Sequence, residues 1–298
     1  MRRVTLAFAA TVEGGGGAVR DALVDANRLR RMDRFGRSGV LAGARALSAA
    51  GVESAVPGAT PDPRFGIVVG TAFGCRDAIR QHELLLAAAA RVEDLAPSVF
   101  AATVHNTVAG ELAIGWGLGG PAETLVSGRT AGLEALVLAA SRIAKGDADR
   151  ILVVAAEGIG DALREADATL VESSAAVLLE ADEEGEEEIP SSKRGRAVFV
   201  EAALSFDPDP QAARFEERPE DFSEGVGQGG ARGGGGAVIE RLGASGLWEI
   251  ASDLAASRSA SAADAPSTHS LSQKIRNRRY EVRDAHGSRC AVTLAFFS

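Results

Sequence analysis

Leu125-Val126-Ser127-Gly128-Arg129-Thr130-Ala131-Gly132 reads as the end of a strand turning sharply into a helix that begins near Thr130. Pro121 stands before it, and an apolar run at helical spacing (Leu133, Leu136, Val137, Ala140, Ile143) follows. Strand, tight turn and helix in succession are the unit of an α/β fold. The N-terminus of such a helix offers unpaired N–H groups and partial positive charge, which suits a nucleophile or an anion. Here the turn holds Arg129. A guanidinium stays protonated at any workable pH and cannot attack a carbonyl. The stretch reads as a catalytic scaffold without its nucleophile.

Outward from this turn, strand and helix patterns alternate through the first two-thirds of the chain, which predicts an α/β fold with a mostly buried sheet. Strands are expected at Val4–Ala10, Phe65–Gly70, Glu123–Ser127, Ile151–Ala155 and Ala175–Leu179. Helices are expected at Ala18–Arg30, at Arg76–Val92, after Pro97 through Val104, Val108, Leu112 and Ile114, and at Ala131–Lys145. A further helix, N-capped by Asp33, runs through Ala50 and is ended by Gly51. After Ala181 the organisation changes. An acidic linker at 182–196 separates an N-terminal unit, 1–181, from a reduced C-terminal unit, 197–298, and much of the acid lies in Glu180–Glu188. The C-terminal unit begins with a strand at Ala197–Phe206 and a Pro-, acid- and Gly-rich loop at Asp207–Gly236. A helix at Ala237–Leu254, a mobile Ala/Ser/Asp run at Ala255–Ser272, and a strand pair at Tyr280–Val282 and Ala291–Phe297 complete it.

The 298 residues are 46% hydrophobic and 24% charged, ordinary for a globular protein with ample length for a core. Aromatics are only 5% against 35 glycines, so the core should be built from small side chains. A net charge of −9 argues against nucleic acid and anionic membrane surfaces. No stretch approaches the roughly 18 apolar residues of a membrane helix. The short apolar run after Met1-Arg2-Arg3 is read as a first strand. Cys75 and Cys290 form neither a metal-ligand spacing nor a disulfide framework, which fits a reducing cytoplasm. The Gly229–Gly236 tract lacks the spacing of a phosphate loop.

Five stretches carry a resemblance, in order and at comparable spacing. They are Arg31-Met32-Asp33-Arg34-Phe35; Gly66-Ile67-Val68-Val69-Gly70-Thr71 with Phe73-Gly74; Pro97, Phe100, Asn106 and Ala109-Gly110 followed by Leu118-Gly119-Gly120-Pro121; Gly146-Asp147-Ala148-Asp149 before Ile151–Glu157; and Ser174–Glu180. Through them the first 180 residues resemble the N-terminal half of a β-ketoacyl synthase of the thiolase superfamily. The resemblance implies a thiolase-like layered fold, with a complete N-terminal half and an abbreviated C-terminal half. It places the family's catalytic cysteine at Arg129, between the matching positions Thr130 and Gly132. The family's two histidines, in His-Gly-Thr and Gly-His contexts, find no counterpart. His269 lies in Ser-Thr-His-Ser, and His286-Gly287-Ser288 falls at the terminal turn.

The family contains cysteine-lacking chain-length factors, which pair with an active ketosynthase and shape its acyl tunnel. A shorter branch occurs beside aryl-polyene-type synthases, and this chain's size and degeneracy resemble it most. The resemblance thus implies a non-catalytic heterodimer partner of an active β-ketoacyl synthase in polyketide, aryl-polyene or fatty-acid-type synthesis. It needs no metal and no cofactor of its own, because an acyl carrier protein supplies phosphopantetheine. Ser127, Arg129, Thr130, Phe100, His105, Asn106 and Glu123 are the candidate substrate and interface residues. Two other classes stay open: a divergent thiolase-fold enzyme, either a malonyl-carrier decarboxylase or an acyltransferase, and a homodimeric scaffold that binds an acyl carrier.

Each candidate has a plainer reading. Arg129 either binds an anion, such as a partner carboxylate or a carrier's phosphopantetheine or malonyl group, or fills the vacated pocket and pairs with Glu123 or Glu157. Ser127 lacks the flanking pattern of a nucleophile elbow. Cys75 reads as a small packed residue, His105 as an interface or capping residue, and His82 as a surface one. Asp147 and Asp149 read as turn residues.

Overall fold

The computed structural model of the chain describes residues 2–14, 18, 20–89, 102–166, 168–182, 197–206, 244–263, 275–283 and 288–297, with isolated positions between 90 and 101. Its strands are β1 (Arg3–Glu13), β2 (Phe65–Thr71), β3 (Ala122–Val126), β4 (Arg150–Glu157), β5 (Ser173–Asp182), β6 (Ala197–Phe206), β7 (Ile275–Arg283) and β8 (Ser288–Phe297). Its helices are α1 (Ala26–Arg30), α2 (Arg34–Ala49), α3 (Arg76–Ala88), α4 (Thr107–Trp116), α5 (Ala131–Lys145), α6 (Asp161–Ala166) and α7 (Ser245–Ala263). The strands form one mixed sheet in the order β3-β2-β4-β5-β1-β6-β8-β7. β2 pairs in parallel with both β3 and β4, through helical crossovers, and the remaining pairings are antiparallel. The C-terminal strands thus continue the sheet past β1.

The central strands β2, β4 and β5 carry unbroken apolar or glycine runs (66–70, 151–156 and 175–179) because both sheet faces are covered. On one face, Val68, Val153, Ala155, Val177 and Leu179 meet Leu133, Leu136 and Ile143 of α5 and Leu247, Ile250 and Leu254 of α7. On the other, Ile67, Val69, Leu152, Val154 and Leu178 meet Leu41 and Leu47 of α2 and Val108 and Leu112 of α4. Glycine permits that second layer. A Cβ on Gly43 would lie 2.5 Å from Leu112 Cδ1, and one on Gly39 would lie 2.9 Å from Val108 Cγ2. The layered α/β expectation is met.

Asp33 caps α2 as expected, its carboxylate accepting from Gly36 N at 2.8 Å, and Gly51 follows the helix end with φ 72°. The expected helix at 18–30 contracts to Ala26–Arg30. Asp21 Oδ1 accepts from Leu23 N and Asp25 Oδ1 from Asn27 N, so short acidic side chains compete with the helix ladder before residue 26. The helix expected after Pro97 is not continuous: Pro97 and Phe100 are helical, residues 102–106 are not, and α4 begins at Thr107. Thr103 and Thr107 donate their hydroxyls to the carbonyls of Phe100 and Val104, closing turns instead.

The helix expected at 237–254 is Ser245–Ala263, with 237–243 outside the described residues. Buried Leu247, Ile250 and Leu254 anchor it, and the Ala-rich residues that follow propagate it, so 255–263 is helical where mobility was expected. The final strand pair is a longer hairpin than expected, and α6 was not foreseen. The linker residues 183–196, the loop 207–236 with its glycine tract, and both C-terminal histidines, His269 and His286, lie outside the described residues. Among the described residues no helix is long and apolar enough to cross a membrane.

Candidate functional site

The parallel strands β3, β2 and β4 end at the same edge of the sheet, where open α/β sheets place ligands. Ser127 leaves β3, Gly128 takes φ 67°, and a single 3₁₀ turn at Gly128–Thr130 leads into α5. Ser127 N donates to Thr71 O at 3.3 Å, tying the turn to the end of β2. Thr130, fully buried, donates its hydroxyl to Ser127 O at 3.2 Å and also bonds the Glu134 carboxylate. A Cβ on Gly70 would stand 2.3 Å from Ala131 O, so only glycine lets the start of α5 lie against β2. The turn packs against β7 and β8 on its other side.

Arg129 is half-buried in this turn and is held by neighbouring groups. Glu123 is not its partner. It lies near the opposite end of β3 and pairs with Arg142 at 2.5 Å, while Arg142 also reaches Asp147 at 3.1 Å. The expected Arg129–Glu123 pairing is therefore corrected: strand direction carries position 123 to the wrong end of the sheet. Asp147 and Asp149 are turn residues that also hold arginines, since Asp149 bonds both Arg64 and Arg2 at 2.6 Å. Those guanidiniums hold its carboxyl well below the usual range. Glu157 is wholly buried at the end of β4 and accepts from Ala72 N.

Ser127 Oγ is buried and, among the described residues, has no hydrogen-bond partner. Among the described residues no imidazole is there to take its proton, because His82 and His105 are engaged elsewhere. His82 meets Phe100 edge-on, with ring centroids 5.8 Å apart. His105 lies against Cys75, with Nδ1 3.4 Å from Sγ. His105 is thus no cap. Asn106 occupies the N-cap of α4, without a side-chain cap bond. Phe100 is 62% exposed and Asn106 is also exposed. The fold brings Ser127, Arg129 and Thr130 together, sets His105 and Asn106 beyond the adjoining end of β2, and separates Glu123 from them.

Both thiols are poor nucleophiles as placed. Burial pushes Cys75 up to about 11, helped by the nearby Asp33 carboxylate. Burial pushes Cys290 up to about 12, helped by Glu134. Tyr280 donates to Asp253 at 2.7 Å and is likewise raised, first by burial and then by that carboxylate. Sequence reading missed Gly70, Glu134 and the Cys75–His105 contact. Gly70 had a signal, since glycine inside a buried strand marks a close backbone approach. The other two had none. Among the described residues no three His, Cys, Asp or Glu side chains are grouped to hold a metal ion.

Comparison with known proteins agrees with this geometry. A profile of the β-ketoacyl synthase N-terminal domain matches residues 20–183, more than half of the chain. The 3-oxoacyl-[acyl-carrier-protein] synthase 2 of Vibrio cholerae is 34% identical over 129 residues, which is 43% of this chain and 30% of that protein. A putative polyketide β-ketoacyl synthase 1 of Streptomyces halstedii is 31% identical over 140 residues, 45% of this chain and 32% of that protein. The chain therefore matches about a third of the length of these curated relatives. Among solved structures, the ishigamide ketosynthase/chain length factor superposes with a TM-score of 0.69 at 18% identity, covering 99% of this chain and 100% of that one. A ketosynthase in complex with its type II polyketide acyl-carrier protein superposes with a TM-score of 0.65 at 18% identity, over 99% and 100% of the two chains. These structures share the fold.

Proposed function

This chain belongs to the β-ketoacyl synthase N-terminal-domain family, and on that premise we propose that it is a non-condensing, chain-length-factor subunit. In this reading it pairs in the cytoplasm with an active β-ketoacyl synthase and shapes the acyl tunnel of a polyketide, aryl-polyene or fatty-acid-type system. The observation that carries the proposal is Arg129, half-buried at the strand–turn–helix junction. Condensation needs a nucleophile that becomes acylated there, and a guanidinium cannot serve. Ser127, two residues earlier, lacks a described base to activate it.

The partner surface in this proposal is the outer edge of β3, which among the described residues pairs with no strand. Val126 at its end is 47% exposed, and Phe100 and Val104 are exposed on the segment leading to α4, which packs on β3. A partner strand added to this edge satisfies its open N–H and C=O groups while covering apolar side chains. An acyl carrier protein brings the phosphopantetheine-borne chain to the pair, and this subunit limits its extension by sterics alone.

The test is native mass spectrometry of this chain co-expressed with an intact ketosynthase of its own genome. A one-to-one heterodimer supports the proposal. A homodimer or monomer that ignores the ketosynthase refutes it.

A further inference from the structure

A cavity of about 240 Å³ opens between the start of α1, residues 54–55 and the last turn of α4. Its walls include Leu23, Asp25, Arg28, Ile114, Gly115 and Trp116. After Trp116 the chain passes through Leu118, bridged to Asp62, into the start of β3. The cavity therefore lies by the opposite end of the parallel strands from the Arg129 turn. Its rim is apolar yet open to water: Ile114 is 75% exposed, Leu23 38%, and Val56, next to the lining residue Ala55, 72%. Exposed apolar side chains gathered around a concavity are the mark of a binding surface.

α4 also fixes a polar group in this cavity. Arg28 donates Nε to Glu111 Oε2 at 2.7 Å and Nη2 to the Glu111 carbonyl at 2.8 Å. These contacts lock the guanidinium plane and leave Nη1 without a hydrogen-bond partner among the described residues. Nη1 lies over Gly115, where a Cβ would stand 3.1 Å from it, so the glycine leaves space beside the nitrogen. Glu111 already balances the guanidinium charge, and Asp25, the N-cap of α1, adds a second carboxylate to the wall. An entering anion would meet net negative charge. A neutral carbonyl oxygen accepts from Nη1 without that cost.

We propose that this cavity binds a small uncharged amphipathic molecule. Its carbonyl oxygen accepts from Arg28 Nη1, and its aliphatic or aromatic body covers Leu23, Ile114 and Trp116. The site uses no residue of the Arg129 turn, and it stands whether or not the chain pairs with a ketosynthase.

The test titrates isocaproamide into the full chain, isotopically labelled on its two tryptophan indoles, Trp116 and Trp248, and follows both signals by NMR. Trp248 packs against the core on the other sheet face and serves as the internal control. The Trp116 signal is expected to shift saturably while that of Trp248 stays in place. Isocaproate, of the same shape but charged, is expected to bind about tenfold more weakly. Ile114→Asn, at a position that is 75% exposed, is expected to weaken amide binding on the order of fivefold. Arg28→Lys, which keeps a cation beside Glu111 but removes Nη1, is expected to weaken it likewise. An unmoved Trp116 signal at the solubility limit of the amide, equal shifts at both tryptophans, or unchanged affinity in both variants overturns the site. Tighter binding of isocaproate than of the amide overturns the assignment of an uncharged ligand.

Discussion

Asp33 is the residue whose removal should strengthen this protein, and only above a certain pH. Its carboxylate caps α2 through Gly36 N at 2.8 Å, yet it is largely enclosed and lies near Asp77. Burial first, then the Asp77 charge, push it up to about 6 from an ordinary 3.8, against the opposing pull of the Gly36 N–H and Arg37. A shift of about two units corresponds to roughly 3 kcal/mol. The sign follows from proton uptake. Between pH 4 and 6 the folded chain binds the proton that the unfolded chain has released, so stability falls as pH rises through that window. The fold's preference for the neutral carboxyl is fully present below about pH 4 and lost above about pH 6.

Asp33→Asn keeps a good N-cap and removes the charge. The variant should be more stable than the unaltered chain by about 2 kcal/mol at pH 7.5, with the difference shrinking to within about 0.5 kcal/mol at pH 4. Urea unfolding of both proteins across this range measures it. With m near 2–3 kcal/mol per molar, the midpoints should differ by about 1 M at pH 7.5. A variant that is less stable at pH 7.5, or a difference that does not change with pH, refutes the reasoning.

Gly70→Ala should destabilise by about 3 kcal/mol, because its Cβ meets the Ala131 carbonyl at 2.3 Å and α5 must move, and a neutral result in chemical denaturation would contradict this packing. Leu136→Ala, fully buried between α5 and the sheet, should lose about 2–5 kcal/mol by the same measurement. Val126→Lys on the open edge of β3 should change stability by no more than about 0.5 kcal/mol yet abolish pairing with a ketosynthase; retained pairing would remove β3 from the interface. Arg129→Cys should not produce condensation in the isolated chain, since no described imidazole serves the turn, and measurable product would sink the non-condensing reading.

The elements around Arg129 were legible because their signals are local. Apolar spacing marks β2, β4, β5 and α5, Asp33 and Gly51 bracket α2, and the step from Val126 to Thr130 marks the turn. Local reading failed where side chains near in sequence compete for the backbone. The acids before α1 shortened that helix, and Thr103 and Thr107 close turns where the helix expected after Pro97 is interrupted. It also failed at 255–263, where low complexity suggested mobility but the buried turns of α7 extend the helix.

The site divides the same way. That residue 129 is a cation is a fact of the sequence, and a guanidinium cannot act as a nucleophile whatever surrounds it. What that cation faces is decided by the sheet order β3-β2-β4-β5-β1 and by strand direction. Direction sends Glu123 to Arg142 and leaves Ser127 beside Thr71. Cys75 and His105 stand 30 residues apart, and no period or motif links them. They meet because β2 and α4 pack on one sheet face and Gly74 leaves room for a ring. Periodicity tells a residue which face of its own element it occupies. Only the packing of whole elements decides what waits on the other side.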